Sequence, residues 1–182
     1  RDLVQQDRYG LQNISNQNYQ VAKDGVGKTM VTSRGCPFRC TFCVVHGGRK
    51  PRMNSPARVV EEMEIMEHEY GCSYVYIQDP LFMADRRRVE EICELVQERG
   101  LKLKWGADAH VNTIRPEVVR ALEAGGCFEL SLGIETGTQR LLDTINKRTK
   151  LPNITKAAHI IKENSNIQVE GLFILGLPGE TE

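Results

Sequence analysis

The chain has 182 residues and a mass of 20.6 kDa, enough for one domain with a real core. Its 24 Lys and Arg balance 24 Asp and Glu, so no basic excess marks a surface for nucleic acid or anionic membrane. A hydrophobic fraction of 40% and a mean hydropathy of −0.39 argue against a disordered or membrane protein, and no apolar run approaches a transmembrane helix.

No secretory signal pattern opens the chain, so a cytoplasmic location is expected. A start at Arg1 and a stop at Glu182 suggest a piece of a longer protein. Residues 1–27 are rich in Gln, Asn, Asp and Gly without periodicity and read as a linker or lead-in, leaving 28–182 as the folded core. Short apolar runs predict buried strands at Thr29–Thr32, Ser73–Gln78, Leu101–Gly106, Phe128–Ile134 and Val169–Leu175. Helical segments lie between them. Ser55-Pro56 starts the first, with Val59, Met63, Met66 and Tyr70 on one face and Gly71 as its stop. Asp85 caps the second, striped by Val89, Ile92 and Val96 and ended by Gly100; Pro116 opens the third, ended by Gly125. A short amphipathic turn through Leu141, Leu142 and Ile145 precedes a last helix from about Asn153 to Glu163. Strand–helix alternation means a parallel sheet, which doubly wound folds and barrels both satisfy. In either, chemistry gathers where strands end.

The cysteines are unevenly spread. Cys36, Cys40 and Cys43 share one loop directly after the first strand, while Cys72, Cys93 and Cys127 are scattered. Three thiolates at C-x3-C-x2-C are soft ligands suited to zinc or iron–sulfur chemistry. A closed zinc site wants a fourth ligand. Cys72 and Cys127 precede their strands at the opposite rim and Cys93 lies in a helix, so only His46 is near enough. Three ligands with an open position point to a catalytic cluster; a zinc-stabilised loop and unligated thiols stay open.

This loop, with Phe42 as its aromatic, resembles the signature of the radical S-adenosylmethionine superfamily, and the similarity runs from about Thr29 to the C-terminus. The resemblance implies an α/β fold, a partial TIM-like (β/α)6 barrel truncated here after the fifth strand. It implies a [4Fe-4S] cluster on Cys36, Cys40 and Cys43, with S-adenosylmethionine chelating the fourth iron. Electron transfer then cleaves a C–S bond and yields a 5′-deoxyadenosyl radical that abstracts hydrogen from a small-molecule substrate. A reductant such as flavodoxin or ferredoxin is implied as partner.

Asp79, in Gln78-Asp79-Pro80, stands where the family meets the ammonium of S-adenosylmethionine, although Asp-Pro is also a good turn starter and Pro80 departs from the paired acids of many relatives. His110 occupies a position where relatives often carry arginine; it is either a loop polar residue or a contact to cofactor or substrate, as a proton donor, with Asp108 a weaker candidate. Gly133-Ile134-Glu135-Thr136-Gly137 resembles the family's G-[IV]-E-[ST]-G element, in which carboxylate and hydroxyl reach the ribose and methionine parts of the cofactor. A carboxylate at a buried strand end needs a partner. Lys147 matches a recurrent position but reads more simply as a solvated helix end. Ile174, before Gly176-Leu177-Pro178-Gly179-Glu180-Thr181, and Phe42 would flank the adenine, or both are ordinary core residues.

Ala22 to Thr29 fits a relaxed phosphate-loop pattern, but that motif needs a strand before it and a helix after it, and neither is expected. Arg86-Arg87-Arg88 and Arg49-Lys50-Pro51-Arg52 read as solvated faces, with Arg52 within reach of an anionic substrate. The polar lead-in, the approach from Thr32 to Pro37 and the helix start from Asn54 to Glu62 are most similar to the cobalamin-binding subgroup. That implies methylation or cyclisation at unactivated carbon, and a cobalamin-binding domain upstream of this segment. The alternatives are a radical methylthiotransferase acting on tRNA or a ribosomal protein, and a non-catalytic scaffold that keeps a metal for folding or partner binding.

Overall fold

A computed structural model describes residues 26–44 and 47–181. In chain order its elements are β1 (Val26–Met30), β2 (Ser33–Arg34), β3 (Arg52–Met53), α1 (Pro56–His68), β4 (Cys72–Ile77), α2 (Arg86–Glu98), β5 (Lys104–Ala109), α3 (Pro116–Ala124), β6 (Cys127–Glu135), α4 (Gln139–Thr144), α5 (Leu151–Asn164) and β7 (Gln168–Phe173). Five strands form one sheet in the order β1-β4-β5-β6-β7, each pair parallel. Sheet order follows chain order without the reversal of a doubly wound fold. Helices α1, α2, α3 and α5 also lie on one side. Val59 and Met63 of α1, Ile92 and Val96 of α2, Val119 and Leu122 of α3 and Ile161 of α5 share one core with Val75, Ile77, Trp105, Ala107, Leu130 and Leu132 of the sheet. This is a partial TIM-like barrel: helices outside, the other face of each strand turned inward. Each fully buried aliphatic side chain in that layer contributes about 1.5–3 kcal/mol.

Local signals set the helix starts. Ser55 Oγ accepts from Arg58 N at 3.3 Å and an Asp85 oxygen from Arg88 N at 3.2 Å, capping α1 and α2 at the expected residues. Strand limits moved more. The third long strand runs Lys104–Ala109 rather than Leu101–Gly106, because Glu67 Oε2 holds the N–H groups of Lys102 and Leu103 in the connection at 2.9 and 3.1 Å. The first ends at Met30, since the Thr32 and Ser33 N–H groups leave the sheet for the Asp79 carboxylate. The lead-in lies, up to residue 25, outside the described residues, and β1 starts two residues before the expected boundary at Lys28. Lys28 and Thr29 belong to that strand, so they cannot open a phosphate-binding helix. Among the described residues, no helix is long and apolar enough to cross a membrane.

Candidate active site

The two-residue strands β2 and β3 pair antiparallel and close the base of a lobe, described at residues 35–44 and 47–51, that carries the clustered cysteines. Gly35 makes the entry. At φ +89° a side chain there would put Cβ 2.6 Å from Lys50 O and 2.9 Å from Gly48 O, where Cys36 N donates to that same Gly48 oxygen at 3.1 Å. All six cysteines are free thiols; Cys36 is buried, Cys40 half-buried and Cys43 exposed. The lobe is fixed at its far side as well. The Phe38 ring stacks on His110 with centroids 4.3 Å apart and planes within 5°, Thr41 N donates to Ile145 O at 2.9 Å, and Asn146 Nδ2 donates to Arg39 O at 2.9 Å. The loop after β1 is thereby clamped to the end of β5 and to the turn that follows α4.

At the end of β6 sits the pair that the buried carboxylate required. Lys147 Nζ lies 2.6 Å from Glu135 Oε1, with the two residues 7% and 8% exposed. Lys147 is therefore not a solvated helix end. Left-handed backbone at Asn146 and Arg148 brackets it, and its own N–H is held by Leu142 O at 3.0 Å. Gly133 makes room: a Cβ there would lie 2.7 Å from both Glu135 Oε1 and Lys147 Nζ. Glu135 has φ +66°, and Thr136 N reaches Ile134 O at 2.8 Å across it, a strained three-residue turn of the kind found at functional sites. Lys147 Nζ also stands 6.0 Å from the centroid of Phe42, which is exposed rather than core, and its charge opposes the burial that pushes the Cys40 thiol up. Ile174 N donates to Glu135 O at 2.9 Å, while its side chain packs with Leu141, Ile145 and Leu177.

His110 is buried at 6% exposure. Asn112 N donates to its Nδ1 at 3.2 Å, which puts the ring proton on Nε2, 3.4 Å from Lys147 O. Burial first, and the Lys147 charge second, push its pKa down to about 4, so the ring is neutral at pH 7 and is no cationic proton donor. Because the folded pKa lies below the unfolded one, the neutral ring's contribution is complete above about pH 6.5 and is lost as pH falls towards 4. The melting temperature of wild type is expected to fall across that window more steeply than that of His110→Gln; parallel profiles would contradict the assignment.

Asp79 is placed differently from the expectation. Its Oδ1 accepts from Thr32 N at 2.6 Å and Ser33 N at 2.8 Å, and its Oδ2 from Thr32 Oγ1 at 2.5 Å and Ser33 Oγ at 2.7 Å. At 2% exposure and with both oxygens engaged, it holds the approach to the cysteine lobe. Arg88 belongs to this clamp, donating to Thr32 Oγ1 at 2.9 Å and Asn54 O at 2.9 Å. It is buried and not part of a solvated basic run, because the turn after the Asp85 cap aims it at the sheet edge. Phe38, Asn146 and Arg88 were missed as site-builders. Each acts through a partner more than ten residues away, which no local pattern reports.

Three free thiols on one loop are a soft donor set, and an iron–sulfur cluster would take such thiolates on separate irons. His46, on which a zinc site depends, lies outside the described residues. An open parallel barrel with three free thiols on the loop after its first strand defines a radical SAM domain, and residues 30–182 match the Radical SAM superfamily, to which the chain belongs. It is 35% identical over 161 residues to an uncharacterized methyltransferase of Pyrococcus horikoshii, covering 87% of this chain and 35% of that protein. It is 34% identical over 155 residues to the anaerobic magnesium-protoporphyrin IX monomethyl ester cyclase of Cereibacter sphaeroides, covering 82% and 25%. The radical S-adenosylmethionine methyltransferase TsrM of Kitasatospora setae, solved with cobalamin and a [4Fe-4S] cluster, superposes with a TM-score of 0.75 at 21% identity, over 86% of this chain and 32% of that one. The chain thus spans about a third or less of each of these relatives.

Proposed function

We propose that this domain cleaves S-adenosylmethionine reductively and passes the radical to a substrate carbon, within a protein that methylates or cyclises a small molecule with the help of cobalamin held by a separate domain. The observation that carries the reading is the docking of a three-thiol loop against the Glu135–Lys147 pair at the C-terminal edge of a parallel barrel. When bound, a [4Fe-4S] cluster on Cys36, Cys40 and Cys43 supplies one electron to S-adenosylmethionine, whose C–S cleavage gives the 5′-deoxyadenosyl radical. The chain's residues do the positioning. Lys147 occupies Glu135 Oε1, leaving Oε2 to accept from a ribose hydroxyl, and Thr136 stands beside it. Phe42 offers an exposed ring, and the Ile174 backbone an edge, for the adenine. His110 holds the lobe through Phe38 and keeps a neutral face towards the site.

The methyltransferase and cyclase names of the relatives favour this outcome over methylthiolation of tRNA or a ribosomal protein. A reductant would dock beside the thiols. Residues 25–60 contain no Asp or Glu, while Arg34, Arg39, Arg49, Lys50 and Arg52 are exposed around the thiols, a collar suited to a small acidic redox protein such as flavodoxin or ferredoxin. Six free thiols suit the reducing cytoplasm. Anaerobic reconstitution tests the proposal. About four irons and four sulfides per chain are expected, and dithionite with S-adenosylmethionine should then release 5′-deoxyadenosine. One zinc and no sulfide would overturn it in favour of a metal-stabilised scaffold.

A further inference from the structure

The inward face of the sheet carries a second constellation, below the cysteine rim. Strand register places Tyr74 and Tyr76 of β4, Gly106 and Asp108 of β5, Glu129 and Ser131 of β6, and Glu170 of β7 side by side on it, since Tyr76 pairs with Gly106, Gly106 with Glu129, Asp108 with Ser131, and Ser131 with Glu170. Ser131 stands two residues, about 7 Å, below Gly133 and its ion pair. The same register brings two donor-bearing side chains to its lower end, Lys104 opposite Tyr74 and Gln168 opposite Glu129; above them, around Asp108, Ser131 and Glu170, acceptors outnumber donors. The Tyr76 hydroxyl donates to Asp108 Oδ1 at 2.7 Å and lies 2.9 Å from Ser131 Oγ, which is in turn 3.2 Å from Glu170 Oε2. Two hydroxyl hydrogens serve three contacts.

No described Lys or Arg forms an ion pair with Asp108 or Glu170. The carboxylates act on one another instead. Burial, and then Glu170 and Asp79, push the Asp108 carboxyl up against the Tyr76 hydrogen bond, and Glu129 is pushed up by burial, Glu170 and Asp108. An independent observation points into the same place. Tyr74 is fully buried, its hydroxyl has no hydrogen-bond partner, and that oxygen lies 2.5 Å from where a side chain on Gly106 would begin, on the wall between Asp108 and Glu129. Burying an unpartnered hydroxyl beside crowded carboxylates costs a few kcal/mol. A cation with several N–H donors satisfies both deficits at once; a neutral group can partner the hydroxyl but leaves the carboxylates repelling one another, and an anionic group adds to that repulsion.

We infer that this wall binds the cationic end, an ammonium or guanidinium, of the molecule on which the domain acts, holding it below the thiol rim so that a carbon further along faces the site of radical formation. The inference rests on the radical reading for its last clause; the binding stands on the wall alone. Agmatine, which carries both cationic groups, is the probe, with butane-1,4-diol as the neutral control, titrated calorimetrically into the cluster-loaded full-length protein. Agmatine should saturate a site that the diol does not occupy, and Asp108→Asn and Glu170→Gln should each weaken it about tenfold or more. Without ligand, both variants should melt at or above the wild-type temperature, since each removes a repelled charge. Absence of saturable agmatine binding, unchanged affinity in both variants, or a lowered melting temperature in both overturns the inference, the last because it means that the chain supplies its own cation. Release of 5′-deoxyadenosine, measured in the same preparations, reports on the radical reading separately: its loss with agmatine binding intact counts against that reading and not against the wall.

Discussion

Lys147→Met is expected to destabilise the domain by about 3–5 kcal/mol, because it leaves the Glu135 carboxylate buried without its cation. The ammonium and carboxylate stand 2.6 Å apart and both side chains are at least nine-tenths buried, so water cannot replace the lost partner. The double variant Lys147→Met/Glu135→Gln should recover most of the loss, since a buried pair exchanged for neutral groups of similar volume is often close to neutral in stability. Denaturant unfolding of the single and double variants measures the difference. A single variant within 1 kcal/mol of wild type would mean that the pair is not formed. Function separates from stability here. The double variant should fold yet bind S-adenosylmethionine poorly, because the same residues present Glu135 Oε2 and face the Phe42 ring. The Lys147 charge is also one of the groups that depress the His110 pKa, so the variants should lose part of the acid sensitivity attributed to that ring.

What the sequence made legible was local. Capping at Ser55 and Asp85, the helical stripes and the five apolar runs depend on neighbours a few positions away, and all reappear within a few residues of their expected limits. The choice of barrel over doubly wound sheet was not local: periodicity is the same in both, and only the order of strands in space decides. The cysteine spacing announced soft-metal chemistry, but what steadies the lobe could not be read. Phe38 finds His110 and Arg39 finds Asn146 across 72 and 107 positions. Lys147 looked solvated because a lysine after a short helix usually is; two left-handed residues around it are what turn it inward. The acidic wall was hidden for a further reason. Asp108, Glu129 and Glu170 sit on different strands at alternating positions, so no stretch of sequence looks acidic.

Asp79 gives the sharpest contrast between a residue's expected role and its place in the fold. The carboxylate accepts four hydrogen bonds from Thr32 and Ser33, and Arg88 completes the clamp through Thr32. Asp79→Ala should therefore lower stability by about 3–5 kcal/mol, since it strands two backbone N–H groups and two buried hydroxyls and removes one of the two negative charges that favour the buried Arg88 guanidinium. Asp79→Asn keeps one oxygen for the backbone donors, and the Thr32 and Ser33 hydroxyls can rotate to accept from its amide. A milder loss of about 1–3 kcal/mol follows, seen as a fall of roughly 2–12 °C in Tm for a domain of this size. The cofactor contact predicts the opposite division. If Asp79 met the ammonium of S-adenosylmethionine, Asp79→Asn would leave Tm unchanged and weaken cofactor binding at least about tenfold, as loss of a charge-assisted hydrogen bond does. The clamp predicts a lowered Tm with cofactor affinity nearly unchanged, measured well below Tm where the variant is folded. It also predicts slower cluster assembly, because the residues released by the mutation lead directly into Gly35 and Cys36 and set the register in which the three thiols are presented.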